Sequence, residues 1–263
     1  MESIVRLPEM RRASLLKLLQ AKRFHSIAEL KRSTGATHAT LHRDLSSLER
    51  AGLIRKTYGG VEVLSAEDSI RNYEKRIKSH SALKAAIADA ALRYVSRGDH
   101  IFLDASSTCY FLGKALFKRN IEGVTIVTNS LHLLTEYRRS DTEVGLVSTG
   151  GTIDKELNAF LGDFTTGFIS RISVAKTFIS AAGCTIEHGI SSASDVVLGA
   201  IKAAMAAGRE RYCLIDSSKF GREYVFKFAE LRAFHALISD SKLPNRVVSA
   251  FAKSGVSLIS AKG

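Results

Sequence analysis

Residues 26–61 read SIAELKRSTGATHATLHRDLSSLERAGLIRKTYGGV, and this stretch decides the fold of the N-terminal part of the chain. Ser26 and Glu29 form the S-x-x-E pattern of a capping box, which starts a helix, and Gly35 is placed to end it. Thr37 is placed to cap another helix that stops near Gly52. The spacing therefore predicts two helices joined by a short turn.

The segments on either side of this helix pair carry their own signals. Upstream, Pro8 and the leucines at positions 15, 16, 18 and 19 predict a further helix, since the first turn of a helix tolerates proline. Downstream, apolar and β-branched residues at 53–57 and 61–64 flank Tyr58-Gly59-Gly60, which is typical of a β-hairpin. A hairpin directly after the second helix of the pair makes a winged helix-turn-helix.

The second helix of the pair has two distinct faces. Leu41, Leu45 and Leu48 recur at i, i+4 and i+7, so they share one apolar face. Asp44 lies nearer that side, which favours a structural role such as pairing with an arginine or capping backbone groups. The polar face is built from small, polar, His and Arg residues: Thr37, His38, Ala39, Thr40, His42, Arg43 and Ser46.

A helix of this kind, held by a partner helix, can lie in a DNA major groove with its N-terminal end at the base edges. The seven residues of the polar face are therefore predicted DNA contacts. Arg43 suits a guanine or a phosphate, while Arg55 and Lys56 of the hairpin are predicted to touch phosphates or the minor groove. The alternative for Arg43 is a solvated surface arginine paired with Asp44 or Glu49.

The positive charge of the chain is concentrated at its N-terminus. The chain has 263 residues and a net charge of +12, and its first 60 residues hold 12 Lys/Arg and 5 Asp/Glu, a net +7. A basic module favours polyanions, because neutralised phosphates release condensed counterions. The alternative is a merely soluble basic surface. The length suits one small and one medium domain.

Several classes of protein are disfavoured. No apolar run approaches the roughly 20 residues of a membrane span, and the first residues lack the apolar segment of a signal peptide, so no membrane partner is expected. Three widely spaced cysteines, Cys109, Cys184 and Cys213, indicate reduced thiols and a cytoplasmic location. The cysteines and histidines lack the spacing of a zinc site, and no metal or cofactor is predicted.

From about residue 81 onward, helical and strand patterns alternate. Leu83, Ile87, Ala90, Ala91 and Tyr94 mark a helix. Short apolar runs then predict buried strands at residues 101–103, 124–127, 144–147, 177–180, 212–215 and 236–238. Such alternation favours an α/β fold with a mainly parallel sheet covered by helices on both faces.

Small and hydrogen-bonding residues follow each predicted strand. The carboxyl ends of parallel strands share one edge, where open sheets bind ligands and helix N-termini present free N–H groups to anions. Residues 106–108 are predicted to cradle a phosphate, Lys219 to add a positive charge, and Asp104, Asn129 and Ser130 to bind sugar hydroxyls. The predicted effector site comprises Asp104, Ser106, Ser107, Thr108, Asn129, Ser130, Gly150, Gly151 and Lys219. The alternative for its Ser, Thr, Asn and Asp residues is helix N-capping.

The run Thr40-Leu41-His42-Arg43-Asp44-Leu45, followed by Gly52-Leu53-Ile54-Arg55 and Tyr58-Gly59-Gly60, resembles the N-terminus of the DeoR/GlpR family of bacterial sugar-catabolism regulators. The usual family run has Arg-Arg-Asp where this chain has His42-Arg43-Asp44. Later runs are similar to the family's sensor domain, which is itself similar in fold to ribose-5-phosphate isomerase. These runs are Asp104–Thr108, Thr128–Ser130, Gly150-Gly151, Asp216–Gly221 and Ser239-Asp240.

Pattern and resemblance together divide the chain into three parts. These are a winged helix-turn-helix DNA-binding domain at 1–63, a linker at 64–80 and an effector-sensing α/β domain at 81–263. The resemblance implies a repressor of a carbohydrate-catabolism operon, controlled on double-stranded operator DNA by a phosphorylated sugar or related metabolite. It also implies a homodimer or homotetramer, and paired half-sites in DNA favour at least two recognition helices in any case.

The main alternative is a sugar-phosphate isomerase or deaminase that carries a DNA-binding extension. Aldose–ketose isomerisation needs a positioned base, and the predicted sheet edge has Asp104, Asp216 and Asp240. The strand end at 180–184 has no carboxylate before Glu187, which disfavours an enzyme.

Two further catalytic hypotheses rest on single residues or pairs. Glu187-His188 could form an acid–base pair, although adjacent residues in a loop are more often solvated, and Cys109 has no His or Asp at nucleophile spacing. A purely architectural DNA-binding protein would not explain the polar sheet edge. The sequence therefore favours a regulator, and no catalytic residue is predicted.

Overall fold

The structure is a computed structural model that describes residues 15, 18–19, 24–50, 54–63 and 73–261. The chain divides into two compact units, residues 1–75 and 76–263. The boundary falls inside the segment predicted as a linker, of which residues 64–72 lie outside the described residues. Pro8 and Leu16 of the predicted first helix also lie outside them, whereas Leu15, Leu18 and Leu19 are helical.

The first unit contains a helix pair and a three-stranded antiparallel sheet with strand order β1-β3-β2. A core of leucines, Ile54 and Val61 lies between the helices and the sheet, and it includes the predicted apolar face at Leu41, Leu45 and Leu48. The elements are β1 (Phe24–Ser26), α1 (Ile27–Thr34), α2 (His38–Arg50), β2 (Ile54–Thr57) and β3 (Gly60–Val63).

The predicted helix caps are present. The Ser26 side chain accepts a hydrogen bond from Glu29 N at 3.2 Å. Gly35 ends α1 with φ of +63° and donates its N–H to Lys31 O at 3.0 Å, a left-handed conformation that favours glycine. Thr37 Oγ1 accepts from Thr40 N at 3.3 Å. Strand β1 was not predicted, because three residues are too few to show an alternating pattern.

The hairpin is fixed at its turn. Gly59 has φ of +78°, as a two-residue turn at this point requires, and its carbonyl accepts the N–H of Ile27 at 3.1 Å. A Cβ on Gly60 would lie 2.5 Å from His25 O, so glycine permits the close approach of β1. The two glycines therefore join the hairpin to the start of α1.

The second unit is an α/β layer structure around a seven-stranded sheet. All six neighbouring strand pairs of this sheet are parallel, in the order β15-β14-β12-β9-β4-β5-β6. Helix α3 (Tyr73–Lys78) includes the boundary between the two units. The elements of the second unit up to its centre are α4 (Ser81–Leu92), β4 (His100–Leu103), α5 (Ser107–Arg119), β5 (Thr125–Thr128), α6 (Leu131–Tyr137), β6 (Gly145–Ser148), β7 (Thr152–Asp154), β8 (Ala159–Leu161), α7 (Asp163–Ile169) and β9 (Val174–Ile179). They are followed by β10 (Gly183–Thr185), β11 (Gly189–Ser192), α8 (Leu198–Ala207), β12 (Gly208–Leu214), β13 (Phe226–Ala229), β14 (Ala236–Ser239), α9 (Asn245–Ser254) and β15 (Leu258–Ser260).

Both faces of the sheet are covered, as its continuous apolar strands predict. In β4, Ile101 and Leu103 pack into a cluster with residues of α4, α5 and α6. Phe102 points to the opposite face and packs with Ile169 of α7 and Ala200 of α8. The six predicted strands are confirmed, whereas β15, the β7–β8 hairpin and the antiparallel β10–β11–β13 sheet were not predicted.

The strand order reverses between β4 and β9. The chain winds outward from β4 through β5 and β6, then restarts at β9 and winds the other way through β12, β14 and β15. At such a switch point the connections leave the sheet in opposite directions, which opens a crevice beyond the carboxyl ends of the two strands. The loops after β4 and β9 therefore flank the natural ligand position of this sheet.

Candidate functional site

The polar face of α2 is open to solvent. Thr37, His38, Ala39, His42 and Arg43 are exposed. Thr40 is half-buried, and its hydroxyl accepts a hydrogen bond from Thr37 Oγ1 at 2.9 Å. Asp44 is 2% exposed, in agreement with its predicted position near the apolar face. The N-terminal half of α2 thus presents two histidines and an arginine that DNA can reach.

Ser46 and Lys56 connect the helix to the hairpin. Lys56 Nζ donates to Ser46 Oγ at 2.7 Å and lies 3.5 Å from Glu49 Oε2. The Lys56 backbone N–H also donates to Glu49 Oε1 at 3.0 Å. These two predicted DNA contacts are therefore engaged within the module, and they hold β2 against α2. The side chain of Arg55 lies outside the described residues.

Asp104 bridges the switch point of the sheet. Its Oδ1 accepts the N–H of Ser106 at 3.0 Å, and its Oδ2 accepts the N–H of Ser180 at 3.0 Å. Burial raises the pKa of the Asp104 carboxyl, and these hydrogen bonds act in the opposite direction. Both oxygens are used by backbone amides, so the carboxylate holds the two strand ends together.

The loop after β4 leads into the N-terminus of α5. Ser106 Oγ accepts the N–H of Cys109 at 3.1 Å, which makes Ser106 the N-cap. Ser107 and Thr108 follow in the first turn and are 5% and 3% exposed. First-turn amides lack acceptors within the helix and lie at its positive end, so they suit an anion.

Asn129, after β5, carries a buried polar atom that the fold does not satisfy. Its Nδ2 donates to Phe160 O at 3.1 Å, whereas its Oδ1 has no hydrogen-bond partner within the described ranges. An unpaired buried polar group costs about 1–3 kcal/mol. A ligand hydroxyl could donate to this oxygen. Ser130, in contrast, caps α6 by accepting from Leu133 N at 3.3 Å.

Gly150 and Gly151 are explained by packing. Their φ angles are +63° and +120°. A Cβ on Gly151 would clash with Thr165 Oγ1 and would lie 2.8 Å from Leu161 O. Thr165 Oγ1 donates to Gly150 O at 2.6 Å. The glycines therefore allow the chain after β6 to lie against α7, and this packing accounts for them without a ligand.

Lys219 lies in a 3-10 turn after β12. Asp216 caps this turn by accepting from Ser218 N at 3.1 Å, and Asp240, after β14, accepts from Ser217 N at 2.7 Å. Burial lowers the pKa of Lys219, and the charge of Asp216 opposes that shift. Lys219 is thus a half-buried cation that interacts with the carboxylate of Asp216.

Lys84 is a buried cation that the sequence analysis missed. It is 4% exposed on α4, and burial lowers its pKa to about 8, opposed by Asp216 and reinforced by Lys219. Its Nζ donates to the carbonyls of Arg76 and Ser79. The sequence does hold a signal, because Lys84, Ile87, Ala88 and Ala91 fall on the buried face at i, i+3, i+4 and i+7.

The residues considered for catalysis are used differently. Cys109 is fully buried, and burial raises the pKa of its thiol well above the ordinary value, which disfavours a nucleophile. His188 Nδ1 lies 3.2 Å from Glu223 Oε1.

Where side chains are described, the structure contains no group of three His, Cys, Asp or Glu residues that could hold a metal ion. Within the same residues, no helix is long and apolar enough to cross a membrane.

The fold and its two candidate sites define a class of protein, namely a DNA-binding regulator that joins a winged helix-turn-helix to a sensor domain. Comparison with known proteins agrees. Residues 11–67 match the DeoR-like helix-turn-helix domain, and residues 79–241 match the DeoR C terminal sensor domain. The chain belongs to the DeoR family of transcriptional regulators.

Individual relatives are similar over most of their length. The chain is 28% identical over 256 residues to the uncharacterized HTH-type transcriptional regulator YgbI of Escherichia coli, covering 97% of this chain and 99% of YgbI. It is 32% identical over 209 residues to the HTH-type transcriptional repressor GlcR of Bacillus subtilis, covering 79% and 78%. Ribose 5 phosphate isomerase A from Neisseria gonorrhoeae is similar at 19% identity and a TM-score of 0.40 over 54% of each chain.

Proposed function

We propose that this regulator is a repressor of a carbohydrate-catabolism operon whose affinity for operator DNA is controlled by a phosphorylated sugar. The observation that carries the proposal is a pair of ammonium groups, the buried Lys84 and the half-buried Lys219, which both interact electrostatically with the carboxylate of Asp216. Buried charges of one sign are costly unless an opposite charge approaches them. An anionic group of a ligand at this edge of the sheet would supply such an opposite charge.

The remainder of the proposed site suits a polyol. Asn129 Oδ1 is a hydrogen-bond acceptor without a donor within the described residues, and a sugar hydroxyl could donate to it. First-turn amides of α5 at Ser107 and Thr108 would add hydrogen bonds to phosphate oxygens. Gly150 and Gly151 would contribute to the shape of the site rather than to its charge. A sugar phosphate supplies both the hydroxyl donors and the anionic group that these residues would bind.

At the other end of the chain, we propose that α2 reads the operator. Arg43 and His42 would contact bases or phosphates, with Thr37, His38, Ala39 and Thr40 at the same end of the helix. A homodimer or homotetramer would present two such helices to paired half-sites. The names of two relatives, the repressors GlcR of Bacillus subtilis and AccR of Agrobacterium fabrum, support repression. Operator DNA and a metabolite as partners imply a cytoplasmic site of action.

The test measures DNA binding and turnover on the same protein. Fluorescence anisotropy with a labelled fragment of the protein's own promoter region gives the Kd, with and without each member of a panel of sugar phosphates. We expect one of them to change the Kd by about 5- to 150-fold, the usual range of allosteric coupling, without product formation. The absence of any preference for the promoter fragment, or conversion of a sugar phosphate, would contradict the proposal and favour the isomerase alternative.

A further inference from the structure

Helix α2 carries two histidines one turn apart near its N-terminal end. His38 and His42 stand at i and i+4, so their side chains lie on the same side of the helix. Both side chains are exposed, and their ring centres are 6.1 Å apart with an angle of 30° between the ring planes. Neither ring forms a hydrogen bond or an ion pair with another residue of the described ranges. The two imidazoles are therefore close to each other and available to a ligand.

This spacing is that of a chelating pair. Two histidines at i and i+4 on one face of a helix bind the zinc ion of metalloproteases, in which a glutamate directly after the first histidine is the general base. Ala39 stands at that position here, so the pair can hold a metal ion but lacks this base. When each imidazole nitrogen lies about 2.1 Å from a shared ion at the tetrahedral angle, the ring centres are about 5 Å apart. A small rotation of the exposed rings reaches this separation from the observed 6.1 Å.

The ligand atoms select the class of metal. Imidazole nitrogen suits Ni²⁺, Cu²⁺ and Zn²⁺, whereas Mg²⁺ and Ca²⁺ prefer oxygen ligands. A resident zinc ion is held by three or four protein ligands, and the described residues form no group of three such side chains. Water would complete the coordination of an ion bound here. The positive end of the helix dipole should weaken its binding by about 2- to 5-fold, so the ion should exchange readily.

The two imidazoles lie at the end of α2 that is proposed to contact base edges. The DNA major groove is about 12 Å wide, and a helix with its side chains is about 10–12 Å across. A docked helix therefore leaves no room for a hydrated metal ion between its side chains and the bases. The ion would also occupy the ring nitrogens that would otherwise form hydrogen bonds with the DNA.

We propose that His38 and His42 chelate a divalent ion of a late first-row transition metal, and that this ion competes with DNA for the N-terminal end of α2. The chelate follows from the spacing, exposure and ring geometry of the two histidines alone. The competition rests on the proposed role of α2 in operator binding. Separate measurements therefore test the two parts.

Isothermal titration calorimetry with NiCl₂ on the full-length protein, without an affinity tag, tests the chelate. His38→Gln and His42→Gln should each weaken Ni²⁺ binding by about 100-fold, because one of two linked ligands is lost. His100→Gln, at an exposed histidine of β4, is the matched control and should bind Ni²⁺ like the wild type. MgCl₂ should give no binding at the histidine pair. Unchanged Ni²⁺ affinity in both α2 variants, or an equal loss in His100→Gln, overturns the chelate.

Fluorescence anisotropy with the labelled promoter fragment tests the competition. Excess MgCl₂ in the buffer occupies the DNA phosphates, so that Ni²⁺ acts on the protein. At a free Ni²⁺ concentration of about ten times its calorimetric Kd, the promoter Kd of the wild type should rise about 10-fold. Removal of Ni²⁺ with EDTA, followed by restoration of Mg²⁺, should reverse the change.

The variant that combines His38→Gln with His42→Gln provides the control for this competition. Its promoter Kd should be the same with and without Ni²⁺, and this ratio is the readout because the loss of His42 is itself expected to weaken DNA binding. An unchanged promoter Kd in the wild type, or an equal rise in the double variant, overturns the competition. No preference for the promoter fragment in the absence of Ni²⁺ contradicts the proposed function of α2, whereas calorimetry decides on the chelate independently.

Discussion

The polar side chains of α2 and those at the carboxyl edge of the large sheet are used in opposite ways. On α2, His42 and Arg43 are exposed and directed to solvent. At the sheet edge, Ser106, Ser130 and Asp216 cap helices or turns of their own chain. The contrast shows that Ser and Asp residues at strand ends can be explained by capping alone, so they are weak indicators of a ligand site.

The two regions also differ in how their charges are exposed. Arg43 is exposed, so its proposed interaction with DNA should weaken as salt is added. Lys84 is buried and Lys219 is half-buried, so the electric field of these two lysines should be less sensitive to salt. These differences support the proposal that α2 binds a large, solvated polyanion and that the sheet edge binds a small anion.

Replacing Arg43 gives the largest expected effect. Arg43→Ala removes a contact to a guanine or a phosphate, and the affinity for the promoter fragment should fall by about 10- to 100-fold, the value of a bidentate base contact. The melting temperature should change little, because the side chain is exposed. Anisotropy titrations would measure the loss, with Arg246→Ala in α9 as a control of equal charge. Near-wild-type affinity would contradict the proposal that α2 contacts the DNA.

A pH titration examines the buried cation directly. The pKa of Lys84 is lowered to about 8 in the folded protein, below the ordinary 10.5. Between these values the unfolded chain binds more protons, so Lys84 should make the protein more stable as pH rises from about 8 to 10.5, by at most about 1.4 kcal/mol per pH unit.

Urea denaturation of the wild type and Lys84→Met at pH 7, 8, 9 and 10 would measure this slope, because groups common to both proteins cancel in the difference. Lys219 faces the same carboxylate and is present in both. Parallel profiles would mean that Lys84 is not buried as a charged group.

The variant Lys219→Ala should affect the effector response but not DNA binding itself. The variant should bind the promoter fragment within 2-fold of the wild type, because Lys219 lies in the sensor unit. Its response to phosphorylated sugars should fall by about 5- to 10-fold, since one cation of the proposed anion site is lost. Promoter Kd values with and without the sugar phosphates would show this. An unchanged response would exclude Lys219 from the site.

The smallest effect is expected at an N-cap. Ser106→Ala removes the acceptor for Cys109 N and should lower the free energy of unfolding by about 1 kcal/mol. Ser106→Gly should cost only a few tenths of that, because glycine is accepted at this position. Urea denaturation would measure both. If effector affinity collapsed while stability held, Ser106 would be a ligand contact rather than a cap.

Local signals made much of the fold predictable. Ser26, Gly35 and Thr37 act on neighbours three or four residues away, so their roles can be inferred from the sequence. The buried strands were also predictable, because a parallel sheet covered on both faces needs unbroken apolar runs. Strands β10 and β11 were not, since they are three and four residues long and depend on pairing partners far along the chain.

The candidate site was less accessible to sequence reasoning. A pair such as Gly150-Gly151 reads the same in a sequence whether the backbone approaches a ligand or a helix. In the structure the two glycines lie against Thr165 of α7. Asn129 Nδ2 is held by the carbonyl of Phe160, thirty-one residues away, so the sequence does not reveal that Asn129 Oδ1 is left unpaired. Lys84 stands within an apolar helical pattern, and its electrostatic interaction with Asp216 links residues far apart in the sequence. The roles assigned to these residues toward DNA and effector stay predictions.

The attachment of the hairpin turn to the start of α1 has a consequence for operator recognition. Gly59 O is bound by Ile27 N, and Gly60 lies against His25 O, so the turn is fastened at two places. A module built in this way has little conformational entropy left to lose when it docks. Its selectivity among DNA sequences should then reflect how well each duplex adapts to a nearly rigid protein surface.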